Sequence, residues 1–257
     1  AKTNRPQQEN HPLPVINVNC MGTMRLLEAI RLKPQMQVKG ILLAGSSHEC
    51  ITAYGNRKDG ETTPPPGSLY GWSKRLAAEV GQMYAHLYGL PVVIARTYNV
   101  IGPGATAGVA SSLARQVVEI EQGMRPPKLV VGNLKMERDF LDVRDVAAAY
   151  WALLTKAPYR PGEVYPVASG TSRRIEEMVE VFRRHARCPF DVVVDPSLFR
   201  PNEPPQVLGN FEKLHRATGW KPQWSFEQSL VDVLAHARQN FYPSMSTAAG
   251  KRGEEGK

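Results

Sequence analysis

Gly40-Ile41-Leu42-Leu43-Ala44-Gly45-Ser46-Ser47, followed about two dozen residues later by Tyr70-Gly71-Trp72-Ser73-Lys74, are the two stretches from which the fold is read. The first is a short continuous apolar run closing on two serines, as expected of a strand buried on both faces of a parallel sheet. The second opens a helix expected to run to Tyr88, with Gly89 as its stop. Val92-Val93-Ile94-Ala95-Arg96 is then another buried strand. Strand, loop, helix, strand is the pattern of a parallel sheet wrapped by helices. Tyr70 and Lys74, four residues apart, share one helix face. An ammonium beside a phenol favours the phenolate, so Tyr70 is expected to fall from about 10 toward neutrality. Such a phenol can pass a proton to or from a sugar hydroxyl or a ketone, and a serine at the end of the preceding strand can hold the same oxygen. Tyr-x-x-x-Lys alone arises by chance on surface helices; the serine pair gives it weight.

Working outward, residues 1–14 read as loop and 16–30 as a helix, with Val18, Met21, Leu26, Leu27 and Ile30 near helical spacing. Residues 50–68 are a loop rich in Gly, Pro, Thr and charge. Beyond the Val92 strand, helices are expected at 111–122, from Asp142 or Asp145 to 154, and at 175–185, 211–218 and 226–240. Thr171 or Ser172 is the expected cap of the 175–185 helix, with Glu176 and Glu177 in its first turn. Short strands are expected at 129–131, 164–168 and 190–194, and residues 243–257 read as a flexible tail. Trp151, Trp220 and Trp224 are expected to be core or packing residues.

Composition narrows the class. With 257 residues, 42% hydrophobic and 22% charged, the chain can form one large core or two small ones. No apolar run approaches the roughly 18 residues of a membrane span. The start, Ala1-Lys2-Thr3-Asn4-Arg5, does not read as a signal peptide. Cys20, Cys50 and Cys188 are far apart and lack metal spacing, so they read as free thiols of a reducing compartment, the cytoplasm by default, and no metal is expected. The net charge of +8 comes from scattered lysines and arginines without a basic run, so an anionic small substrate is favoured over nucleic acid.

Further markers are Asn19-Cys20-Met21-Gly22-Thr23, Arg96-Thr97-Tyr98-Asn99-Val100-Ile101-Gly102-Pro103-Gly104, Val131-Gly132-Asn133-Leu134, Arg138-Asp139-Phe140-Leu141-Asp142-Val143-Arg144-Asp145, Arg200-Pro201-Asn202-Glu203-Pro204-Pro205 and Thr218-Gly219-Trp220-Lys221-Pro222. In this order, with the serine pair and Tyr70/Lys74, they resemble the extended short-chain dehydrogenase/reductase family that modifies nucleotide-bound sugars. The middle and late markers look most like GDP-4-keto-6-deoxy-mannose reductases, close relatives of GDP-mannose 4,6-dehydratase. The resemblance implies an α/β fold: a partial Rossmann-like, doubly wound parallel sheet with a small α/β substrate-binding domain. Residues 1–101 and 139–169 would form the cofactor domain, and residues 102–138 and 170–242 the substrate domain. No glycine-rich turn follows an N-terminal strand, so by this analogy the first two βα units are expected to be missing, and the choice between NADP and NAD with them.

The resemblance also assigns roles. Tyr70 would be the general acid/base, Lys74 its electrostatic partner, and Ser46 the strand-end hydroxyl, with Ser47 the near alternative. Ser46, Tyr70, Lys74 and Thr97 would meet NADP or NAD. Asn99 would touch the sugar or first phosphate. Arg138 and Arg200 would clamp the nucleotide, since a planar guanidinium fork suits two-point contact with phosphate, and Glu203 would accept from ribose hydroxyls. Asn19 would orient a water. His48 and Glu49 stand where dehydratases carry an acidic pair; the histidine leans toward reduction. The implied partners are a nucleotide-sugar, best guessed GDP-linked, and a second copy of the chain, docked through the 16–30 and Tyr70 helices. Two alternatives stay open: a 4,6-dehydratase or other nucleotide-sugar epimerase/dehydratase, and a non-catalytic remnant that binds ligand or a partner chain.

Overall fold

The computed structural model describes residues 11–51, 65–105, 107–158, 160–199 and 203–241. The expected α/β architecture is present. Three parallel strands, β1 (Ile41–Ala44), β2 (Val92–Thr97) and β6 (Val164–Val167), lie in the order β1-β2-β6. Ile41 pairs with Val92 and Ala44 with Ala95, so β1 ends beside Ser46 while β2 runs on to Thr97. One face of this sheet packs on the helices Gly22–Arg31 and Leu69–Tyr88 through Leu27, Ile41, Ala78, Tyr84, Val92 and Ile94. The other face packs on the helices Val143–Thr155 and Glu212–Thr218 through Ala95, Val146, Ala149, Leu153, Val167 and Leu214. Each such residue, fully buried, contributes about 1.5–3 kcal/mol if it is a Val, Leu or Ile.

Local chemistry explains the Leu69–Tyr88 helix. Ser68 caps it, its hydroxyl accepting from Gly71 N–H at 3.0 Å, and Gly89 ends it at φ +68°. Apart from Tyr84, its buried residues are small: Gly71, Ser73, Ala77, Ala78, Gly81 and Ala85 let the helix lie close to the sheet.

A second core joins the helices Val109–Glu121, Ile175–His185 and Phe226–Gln239 with the two-stranded parallel sheet of β4 (Lys128–Val131) and β8 (Asp191–Val194). Between the cores runs β5 (Glu137–Asp142). Its second half pairs in parallel with β3 (Asn99–Ile101); its first half takes β7 (Ser172–Arg174) antiparallel on one side and β9 (Gln206–Val207) parallel on the other. The sequence reading missed β3, β5, β7 and β9. β5 reads Glu-Arg-Asp-Phe-Leu-Asp, yet Arg138, Asp139 and Asp142 are buried, so polarity hides the strand.

Other expectations need correction. Helix begins at Pro12, not after residue 14, because proline at the first helical position sacrifices no hydrogen bond. A π-helical turn, Asn17–Met21, joins Pro12–Ile16 to Gly22–Arg31. Thr171 and Ser172 do not cap the Ile175–His185 helix: Ser172 belongs to β7 and the cap position falls on Arg174, although Glu176 and Glu177 do stand in the first turn. Trp220 is buried and Trp224, partly exposed, packs under the Arg144 guanidinium, but Trp151 is 68% exposed. The expected tail lies outside the described residues, as does much of the 50–68 loop. No helix among the described residues is long and apolar enough to cross a membrane.

Candidate active site

β1 delivers Gly45 and Ser46 to the C-terminal edge of the sheet, where ligands of such sheets bind. The next residues form one 3-10 turn, Ser47–Glu49, capped by Ser46, whose hydroxyl accepts from His48 N–H at 3.3 Å. The Leu69–Tyr88 helix starts against this turn: a Cβ on Gly71 would stand 2.5 Å from the His48 carbonyl oxygen. That approach puts the Tyr70 phenol in hydrogen bond with the Ser46 side chain and its ring edge-on to His48, centroids 5.5 Å apart. Lys74, one turn along, donates to the Ala44 carbonyl at the end of β1. Ser46, Tyr70 and Lys74 are thus brought together.

The electrostatics differ from expectation. Burial pushes the Tyr70 phenol up; the Ser46 hydrogen bond pulls it down, and the Glu49 and Tyr150 charges push it up again. Burial pushes Lys74 down, against the pull of Glu49. The ammonium faces the strand-end carbonyl, so the lowering by Lys74 that the helical spacing predicts is not what governs Tyr70.

Behind the turn sits Glu49, its side chain fully buried. One oxygen accepts from Ser46 N–H at 2.7 Å, the other from Arg96 Nε at 3.0 Å. Asn19 donates to Ser73 on the Tyr70 helix at 2.9 Å, and Ser73 in turn to the Tyr70 carbonyl at 2.8 Å. Thr97, at the end of β2, holds the Tyr150 hydroxyl at 2.7 Å. The sequence reading missed Tyr150, which arrives from a helix more than fifty residues downstream and carries no local signal.

Asn99, Arg138 and Glu203 line a cavity of about 580 Å³ between β4, β5 and the helix Val109–Glu121, with Gln116, Val130, Gly132, Leu198 and Phe199. Arg138 and Glu203 face each other at 2.8 Å, and Arg138 also donates to the Glu137 carbonyl. The neighbouring Asp139 is not its partner. Asp139 is fully buried and accepts instead from the Ser169 N–H and hydroxyl and from the Gly170 and Gly209 N–H groups. Asn99 donates to the Asp139 carbonyl at 3.0 Å. Ser46, Tyr70 and Lys74 do not line this cavity; the chain links the two regions through Thr97 and Asn99, which flank Tyr98. Arg200 lies outside the described residues. No group of three or more potential metal ligands occurs among them.

Comparison with known proteins follows from this geometry. A model of the family described as GDP-mannose 4,6 dehydratase matches residues 6–233. GDP-6-deoxy-D-mannose reductase of Pseudomonas aeruginosa is 32% identical over 236 residues, which are 91% of this chain and 77% of that protein. GDP-mannose 4,6 dehydratase 2 of Arabidopsis thaliana is 28% identical over 85% of this chain, which spans only 58% of that protein. The structure of RMD from Pseudomonas aeruginosa complexed with NADPH superposes with a TM-score of 0.82 at 32% identity, covering 94% of this chain and 80% of that one. The UDP-glucose 4-epimerase of Thermus thermophilus in complex with NAD gives 0.75 at 27% identity, covering 94% and 76%.

Proposed function

Because the chain belongs to the GDP-mannose 4,6 dehydratase family of extended short-chain dehydrogenases/reductases, we propose that it reduces the 4-keto carbon of a GDP-linked 4-keto-6-deoxy-hexose, with NADPH or NADH as reductant. The observation that carries this reading is the Ser46–Tyr70 hydrogen bond with Lys74 on the same helix face at the sheet's C-terminal edge.

The residues present fit the nicotinamide end of the cofactor. Lys74 has three ammonium donors and gives one to the Ala44 carbonyl, leaving donors for ribose hydroxyls, with Tyr70, Ser46 and Thr97 beside them. The bound cofactor would supply a hydride to the carbonyl carbon. Tyr70, kept as a phenol by burial, gives its proton to the carbonyl oxygen as negative charge develops there. Ser46 holds that oxygen, and Lys74, on the same helix face, would hold the ribose of the cofactor. In the cavity, Arg138 would meet the diphosphate, Glu203 the ribose hydroxyls and Asn99 the sugar; Arg200 would join Arg138. The division at 1–101/139–169 and 102–138/170–242, a homodimer and a cytoplasmic site of action belong to the same reading.

Reduction is favoured over dehydration because His48 stands at one of the two positions where dehydratases carry an acidic pair. Purified protein given the keto-sugar nucleotide and reduced cofactor should consume cofactor one-for-one with product. Water loss from GDP-mannose without net consumption would move the assignment to dehydration. Calorimetry that finds GDP bound and NADPH not bound would move it to a binding protein without turnover.

A further inference from the structure

Glu49 is the buried charge that the reaction above leaves without a task, and the inference drawn from it rests on that reading of Tyr70. We propose that Glu49 is a positioning residue: it fixes the turn that presents the Ser46 hydroxyl to Tyr70 and sets a negative charge behind that pair.

The geometry is that of a carboxylate built into the chain rather than offered to a ligand. Its side chain has no exposure to solvent. Ser46 N–H and Arg96 Nε each take one oxygen, at 2.7 and 3.0 Å. The Ser46 hydroxyl accepts from His48 N–H in return, so the residue that meets Tyr70 is tied from both ends of one short turn. Gly45 is the residue that allows this, since a Cβ there would stand 2.8 Å from the same Glu49 oxygen. Both carboxylate oxygens are thus turned to the chain's own donors.

Its charge is nonetheless felt at the site. Arg96 faces it from β2; Lys74 and Tyr70 face it from the Leu69–Tyr88 helix. Around the phenol stand Tyr150, from the helix Val143–Thr155, and His48, whose ring meets Tyr70 edge-on. Burial pushes Glu49 up while Arg96, Ser46 N–H and Lys74 pull it down. A carboxylate near a phenol disfavours the phenolate by like-charge repulsion, and here it adds to the effect of burial on Tyr70.

The test is alkaline titration of Tyr70, isolated by subtracting the phenolate absorbance of the Tyr70→Phe counterpart of each protein, which needs no turnover. Glu49→Gln keeps the shape and removes the charge; the Tyr70 midpoint is expected to move to lower pH. Arg96→Gln removes the neutralising partner at a part-exposed position and leaves the charge; the midpoint is expected to move to higher pH. Loosening of the turn alone would not separate the two in sign. If E49Q does not fold, R96Q decides. In the keto-sugar assay E49Q should lose about 10- to 100-fold in kcat, through misplacement of Ser46, with KM held. A Tyr70 midpoint unmoved or raised in E49Q, or unmoved or lowered in R96Q, overturns the proposal. So does water release from GDP-mannose that is present in the wild type and abolished in E49Q. Absence of keto-sugar reduction with the titration shifts intact would instead remove the assigned reaction and leave the electrostatic role standing.

Discussion

Gly71→Ala is the sharpest probe of how the site is assembled. In a helix interior this exchange ordinarily stabilises by about 0.4–1 kcal/mol, because alanine loses less backbone freedom on folding. Here the added methyl would lie 2.5 Å from the His48 carbonyl oxygen and 2.9 Å from Pro66 Cβ, against 3.4 Å for an ordinary contact. Both obstacles belong to the turn and its flank, so the helix must retreat by about 0.9 Å. Overpacking of this kind costs about 1–3 kcal/mol. A net loss of about 1–2 kcal/mol is expected, or about 2–8 °C in Tm. The same retreat carries Tyr70 away from Ser46, and a displacement near 1 Å at reacting groups costs about 10²-fold in rate. The assay pairs thermal unfolding with kcat for keto-sugar reduction. Gly81→Ala is the control on the same helix: its methyl would meet Leu43 Cδ1, the mobile end of a part-buried side chain, so kcat should hold. If G71A has full kcat and a raised Tm, the close approach is not what seats Tyr70, and the assembly argued above is wrong.

Further outcomes follow from the same geometry. Tyr70→Phe should lower kcat by about 10²–10⁴-fold with Tm nearly unchanged, because it deletes one hydroxyl at a part-exposed position. Arg238→Met should cost about 3–5 kcal/mol in chemical denaturation, since it strands the Glu121 carboxylate, 1% exposed and held at 2.7 and 3.0 Å by that guanidinium. Asp142 gives a pH signature. Burial would raise its carboxyl, but hydrogen bonds from Arg144 and Ser229 outweigh this and hold it below 3.8. A depressed carboxyl lends stability above its unfolded value and loses it as pH falls through the folded one. The Tm advantage of wild type over Arg144→Gln should therefore be full near neutrality and shrink below about pH 4; an advantage independent of pH would refute the assignment.

Much of this was legible because it depends on local rules. The Ile41–Ala44 and Val92–Thr97 strands are apolar runs, and the Leu69–Tyr88 helix carries its own cap and stop. Ser46 as the partner of Tyr70 came from the family resemblance, which kept Ser47 as the near alternative. What stayed hidden depends on partners distant in sequence. β5 carries buried charges whose compensation comes from Ser169, Gly170, Gly209 and Ser229, so no pattern within it reads as a strand. The direction in which Tyr70 shifts depends on its depth and on Glu49, not on its spacing from Lys74.

Among the described residues no cation meets the Asp139 carboxylate; it is solvated by three peptide N–H groups and one hydroxyl. Peptide donors are furnished by every residue type except proline. The anchor that joins the start of β7 and the approach to the last helices to the central strand can therefore survive drift at Ser169, whereas Gly170, at φ +75° with Phe211 3.0 Å from where a Cβ would stand, is fixed by its backbone and Asp139 has no substitute of equal reach. Families that share this junction should tolerate varied loops around one invariant acid, and salt should leave the junction intact, because dipoles rather than a mobile counter-charge neutralise it.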